Sequence, residues 1–265
     1  MVRRTLVRTV VRDGVGVHSG QPGSVCLRPA PFGEGLVAQL PSGPVPIGWR
    51  SATAGAGCTV IAGPSGEVHT AEHLLAALDA LGVTDAILEV QGPEIPILDG
   101  SALGWIEALD EAGVVSGPAL QPLQLPQVRV EAAGGVACAG PGPDRIAVEV
   151  DFGASGPRGA LAVARTADAF CREIAWARTF VRAADVLSLR AAGRGLGASE
   201  DNTVIWPTSP LRAGDEPVRH KLLDAWGDLS LLGPVSGSVR VVRGSHALHL
   251  ALIARIVEAW GEPPR

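Results

Sequence analysis

No run of apolar residues in this chain approaches the length needed to cross a bilayer. Residues 1–14 carry arginine every few positions and lack the apolar core of roughly 7–15 residues that marks a secretory signal, so the expectation is a soluble, cytoplasmic protein. Positive charge is scarce and scattered: 22 Lys plus Arg stand against 27 Asp plus Glu, for a formal charge of -5. There is no basic field to hold a polyphosphate backbone, and nucleic acid is not expected as a partner. Cysteine is sparse as well. Cys26, Cys58, Cys138 and Cys171 form no CxxC pair, which argues against a cysteine zinc site and a dense disulfide framework; the thiols are expected to be reduced and mostly buried.

What is present is enough apolar material, 46% of 265 residues, to build substantial cores. Residues 5–27 alternate polar and β-branched side chains around Gly14-Val15-Gly16 and read as strand, turn, strand. Two short β segments follow, to about residue 61. Helical spacing then takes over: Thr70 is a candidate cap, Leu74, Leu75, Leu78 and Leu81 recur on one face, and Gly82 ends the run. Residues 86–90 form an apolar strand, 93–100 a loop held by Asp99, and Ser101 caps a helix ending near Gly113.

The stretch 117–127, with Pro118, Pro122 and Pro126, shows no usable periodicity and is the linker candidate. Two domains are therefore expected, residues 1–120 and 121–265. The second opens with a β-rich run over 128–150 and a strand near 160–165. Helices are predicted over 183–192, 217–232 and 247–260, the second with Asp215, Glu216 and Pro217 at its positive end. Strands followed by helices in each half give an α+β class, and the order hints at an internal duplication that no sequence repeat proves.

The helix over 217–232 is the most informative segment. At 3.6 residues per turn, His220, Asp224 and Asp228 share one stripe with Lys221 on its flank, while Leu222, Leu223, Trp226 and Leu229 cover much of the remainder. Ionisable groups on a helix buried on several sides must pair with one another or hold a cation. A His and an Asp one turn apart can reach one metal ion, although an ordinary i,i+4 hydrogen bond is the competing reading. Glu72-His73, in the first turn of an apolar helix, offers another imidazole next to a carboxylate that could act as a base toward water.

Seven segments, in order, resemble the UDP-3-O-acyl-N-acetylglucosamine deacetylase family of lipid A synthesis. They are Gly14-Val-Gly-Val-His-Ser-Gly20, Leu27-Arg-Pro-Ala30, Thr70-Ala-Glu-His-Leu-Leu-Ala76, Pro93-Glu-Ile-Pro-Ile-Leu-Asp-Gly-Ser101, Ala177-Arg-Thr-Phe180, Val218-Arg-His-Lys-Leu-Leu-Asp224 and Gly244-Ser-His-Ala247. The resemblance implies two α+β domains of similar topology, each a sheet with helices packed at the layer between them. It implies one Zn²⁺ held by His73, His220 and Asp224, with Glu72 as general base and His246 as the protonated partner of the leaving amine. Lys221 and Thr179 would stabilise the oxyanion, Asp228 would orient His246, and Phe180 and His18 would belong to the substrate site. The implied substrate is a nucleotide sugar carrying an acyl chain, and a monomer is the default expectation.

Two departures bear on that chain. In the family, an apolar passage for it follows the Ala-Arg-Thr-Phe motif, and here Arg182 and Arg194 fall in that stretch. They motivate an alternative in which the same fold and metal act on another N-acylated sugar or small amide. His69 and His249 carry no matched role and read as surface or packing positions.

Overall fold

In the computed structural model, which describes residues 1–261, the chain forms an α+β fold of two similar halves. Each half is organised around a five-stranded sheet. In the strand Pro22–Pro29, Val25 and Leu27 are buried while their neighbours lean outward, the period-two pattern of a sheet with one covered face. The first sheet runs Val10–Val15, Pro22–Pro29, Ala86–Gln91, Leu36–Leu40, Gly43–Pro46; the second runs Val128–Ala132, Gly135–Gly140, Ser238–Val242, Arg145–Asp151, Arg158–Ala164. In both, the central strand is the last in sequence, antiparallel to one neighbour and parallel to the other. A parallel pair demands a crossover, and helices supply it: Glu72–Ala80 precedes the first central strand and Glu216–Leu229 the second. A further helix follows each central strand, Leu103–Ala112 and His246–Trp260. Matching order and direction in both sheets bear out the similar topology that the residue pattern only hints at.

The two crossover helices pack directly on each other. Gly227 makes this possible, since a Cβ there would come within 2.0 Å of the Glu72 carbonyl oxygen. Trp226 is buried beside it, donates from Nε1 to Asp79 Oδ2 at 2.7 Å and packs edge-on against Phe170. Asp79 also accepts from Arg165 Nη2 at 3.0 Å, which secures the far end of the crossing. Gly227→Ala is expected to separate the two backbones, at a cost of about 1–3 kcal/mol by overpacking. Thermal unfolding should show it as a Tm lowered by several degrees. A Tm equal to the parent's would mean that the crossing is not tight.

Three expectations need correction, and one strand is absent from the predicted elements. Thr70 does not cap its helix: its φ is 62° and its hydroxyl donates to Glu94 Oε1 at 2.8 Å, while the N-cap position is Ala71, without a side-chain bond. The proposed linker is partly paired, as Val114–Ala119 lies antiparallel to Val2–Leu6, and Leu123–Gln124 lies parallel to Val235–Ser236. Its prolines mislead because Pro118 sits at the register shift of a two-stranded edge, where no ladder N–H is needed. Of the four free cysteines only Cys58 is buried. The strand Ser238–Val242, central in its sheet, lies between two predicted helices and has no counterpart among the predicted elements.

Ser101 acts at its helix start in a modified way, accepting from Leu103 N at 3.2 Å while Asp99 accepts from its amide and hydroxyl. No helix among the described residues is long and apolar enough to cross a membrane.

Candidate active site

The helix crossing brings the start of Glu72–Ala80 against the middle of Glu216–Leu229, so residues about 150 positions apart meet. Asp224 Oδ1 lies 3.7 Å from His73 Nε2 and 3.4 Å from His220 Nε2, and all three residues are buried. One ligand atom from each lies within 4.8 Å of the others. The second oxygen of Asp224 accepts from Lys221 Nζ at 2.7 Å. Burial opposes charge on Asp224, but Lys221 and the imidazoles outweigh it and hold the carboxyl well below its usual range.

The donor set fits a divalent metal. His220 Nδ1 donates to the Ala177 carbonyl at 3.1 Å, which fixes the tautomer and leaves Nε2 with a lone pair in the neutral ring. Burial pushes His220 down to about 4, so that ring is neutral at physiological pH. A lone pair therefore faces a carboxylate oxygen 3.4 Å away between two buried side chains, an arrangement a cation resolves. Ala177 itself is fixed by Glu216, a buried carboxylate at the start of the same helix, which grips the next residue: Oε1 accepts from Arg178 Nε at 2.9 Å and Oε2 from Arg178 Nη2 at 3.2 Å.

Glu72 stands next to the triad, 3% exposed. Its Oε2 accepts from the Thr59 amide at 2.9 Å, and its other oxygen has no hydrogen bond among the described residues. Burial raises its pKa, with His246 and His73 pulling the other way. Facing it is His246, at the start of its helix, where Ser245 is the cap and accepts from Leu248 N at 3.2 Å. His246 Nδ1 lies 2.7 Å from Asp228 Oδ2. Burial works against the imidazolium, but the Asp228 carboxylate prevails and lifts His246 to about 9. Asp228 is fully buried, and its Oδ1 accepts from the Thr59 hydroxyl.

A cleft of about 550 Å³ opens over these groups, and Glu72, His73, Thr179, Phe180, His220, Lys221, Asp224, His246 and His18 all line it. Asp228 does not; it sits behind His246. Thr179 is held through its backbone, by its amide to Gly100 O at 2.7 Å and its carbonyl to Val204 N at 2.9 Å, and its hydroxyl has no partner among the described residues. Phe180 packs edge-on to Phe152 and His220. His18 is placed by Glu94, whose carboxylate accepts from the His18 amide at 3.1 Å, the Ser19 amide at 2.6 Å and the Thr70 hydroxyl at 2.8 Å. One buried carboxylate thus ties the His18 turn to the residues preceding Glu72.

Thr59 and Glu94 have no role predicted from the sequence, and His249 is predicted only as a surface or packing position. His69 does lie at the surface beside Glu67. His249, in contrast, is buried and bonded to Asp228, so its packing assignment is incomplete. An acid set between Pro93 and Ile95-Pro96 is the signal available for Glu94. Arg182 and Arg194 line the cleft with their heads engaged, Arg182 by two bonds to Asp185 and Arg194 by the Ala56 carbonyl.

Two imidazoles and a carboxylate within reach of one another, with another carboxylate alongside and a cleft above, are a donor set of the kind metal-dependent hydrolases use. The chain belongs to the LpxC family, the UDP-3-O-acyl N-acetylglycosamine deacetylases, whose family model matches residues 3–258. It is 37% identical to a UDP-3-O-acyl-N-acetylglucosamine deacetylase of Thermosynechococcus vestitus over 97% of this chain and 94% of that protein. To the protein of the same name from Brucella ovis it is 39% identical, over 93% of this chain and 92% of the relative.

Proposed function

We infer that this chain hydrolyses the N-acetyl group of UDP-3-O-acyl-N-acetylglucosamine, releasing acetate, in lipid A biosynthesis. The observation that carries the site assignment is the meeting of His73, His220 and Asp224 beside Glu72 and His246 at one cleft, in a chain of this family. In this proposal residues 1–120 and 121–265 are two domains, and each contributes part of the set. His73, His220 and Asp224 hold one zinc ion. When bound there, zinc supplies Lewis acidity toward the amide carbonyl and makes water more acidic.

The chain's own residues do the remainder. Glu72, a carboxylate with one free oxygen, takes a proton from the attacking water as the new C–O bond forms. The Thr179 hydroxyl and Lys221 ammonium face the negative charge that develops on the carbonyl oxygen. His246, cationic through Asp228, delivers a proton to the sugar nitrogen as the C–N bond breaks, so that acetate and a free amine leave. Phe180 and His18 border the substrate.

Arg182 and Arg194 favour a second reading, with the same chemistry on another N-acylated sugar or small amide. Acetate release from UDP-3-O-acyl-N-acetylglucosamine and from UDP-N-acetylglucosamine decides between them. The acylated substrate is expected to be the faster by a large factor in kcat/KM. Equal rates would remove acyl recognition and leave the second reading.

A further inference from the structure

One buried ionisable group beside the cleft has no part in the chemistry above. His249 lies in the first turn of the His246–Trp260 helix, 1% exposed, with its ring centroid 6.0 Å from that of His246. Its Nδ1 is 2.7 Å from Asp228 Oδ2, the same oxygen that His246 Nδ1 reaches at 2.7 Å. The other carboxylate oxygen is taken by the Thr59 hydroxyl. An ionised carboxylate only accepts, so both rings donate from Nδ1 and two donors share one oxygen. His249 Nε2 has no hydrogen-bond partner among the described residues and faces Gly244, where a Cβ would come within 2.8 Å of it. A proton on that nitrogen would be buried with nothing to accept it. The ring is therefore neutral, in keeping with burial, which holds it below the ordinary imidazole range despite the adjacent carboxylate.

We propose that His249 is a positioning residue: its neutral ring anchors the Asp228 carboxylate and takes a share of Oδ2, and thereby sets how firmly His246 holds its proton. The functional meaning rests on the assignment of His246 as the donor to the leaving amine. The other charges facing this pair are Glu72 and Asp224 toward His246, and Lys221 toward His249. None of these bonds to Asp228, whose partners among the described residues are Thr59, His246 and His249. Removing His249 gives His246 sole claim to Oδ2, which strengthens the charge-assisted bond and raises the pH at which the proton leaves.

The test is an NMR titration of the His246 ring in zinc-loaded, isotopically labelled protein. His249→Leu is expected to raise the midpoint by about 0.5–1 pH unit. His249→Asn, whose amide N–H stands where Nδ1 stood, is expected to hold it within about 0.3 of the parent. A folded Leu variant whose midpoint stays put or falls would overturn the proposal. Should the Leu variant not fold, Asn and Gln decide, because the Gln amide reaches the Nε2 position and leaves Asp228 without its donor. Gln is expected to shift upward and Asn is not; equal midpoints overturn the proposal. The alkaline limb of kcat, measured on the same variants, separates the two levels. A midpoint that moves while the limb does not leaves His249 in place and removes His246 from the proton transfer.

Discussion

Glu72→Gln is expected to retain metal at the parent's stoichiometry and to lower kcat by about 10²–10⁴-fold. The substitution is close to isosteric, and the amide oxygen of Gln still accepts from the Thr59 N–H that now bonds Glu72 Oε2 at 2.9 Å. What disappears is the ability to take a proton. Burial raises the Glu72 pKa, while His246 and His73 restrain the rise, which brings the carboxyl closer to neutrality and makes it a better base than a solvated glutamate. His73→Ala is expected to behave differently, losing both metal and turnover, because it deletes one of three converging donors. Metal analysis beside steady-state kinetics on both variants checks the contrast. Full turnover in Glu72→Gln would leave the reaction without its base; metal loss in that variant would make Glu72 a ligand instead.

That contrast rests on two adjacent residues whose roles come from the family resemblance, since a Glu-His pair at a helix start is a weak signal by itself. His220, Asp224 and Asp228 were legible for a different reason: a helix repeats every 3.6 residues, so ionisable side chains among Leu222, Leu223, Trp226 and Leu229 stand out as one stripe. Which distant residues complete the site is not written in any local pattern. The link between Glu72 and the stripe depends on Gly227, an unremarked helical glycine whose importance appears only when the Glu72 carbonyl is seen against it. Thr59 bonds Asp228 across 169 positions and His249 bonds it across 21, so neither role leaves a trace in its own neighbourhood. The Thr70 cap failed for a tertiary reason as well. Thr70 has the side chain of a cap, yet Glu94 takes its hydroxyl and its backbone is left-handed, a conformation tertiary contacts must impose on a β-branched residue.

Asp228→Asn is expected to produce the largest combined effect on stability and pH dependence. His246 has a folded-state pKa of about 9 against an ordinary 6.5. Its pairing with Asp228 therefore stabilises the fold fully below about 6.5, and the contribution is lost as pH rises through about 9. Seen from the carboxylate, whose pKa is depressed by the same partner despite burial, the same stabilisation is lost on acidification below the usual carboxylate range. It is one interaction, not two. Breaking a buried pair at one partner costs about 3–5 kcal/mol, here at neutral pH, and Tm should fall by roughly 10 °C. Asn also sets an N–H donor against at least one of three donors that now converge on the carboxylate, so relaxation recovers little. Without the carboxylate His246 is neutral at physiological pH, and the alkaline limb of kcat is expected to move toward neutrality. Denaturant unfolding of parent and variant at pH 7 and pH 10 provides the check. Their stability gap should narrow at the higher pH, and a gap of equal size at both would mean that His246 carries no proton for Asp228 to hold.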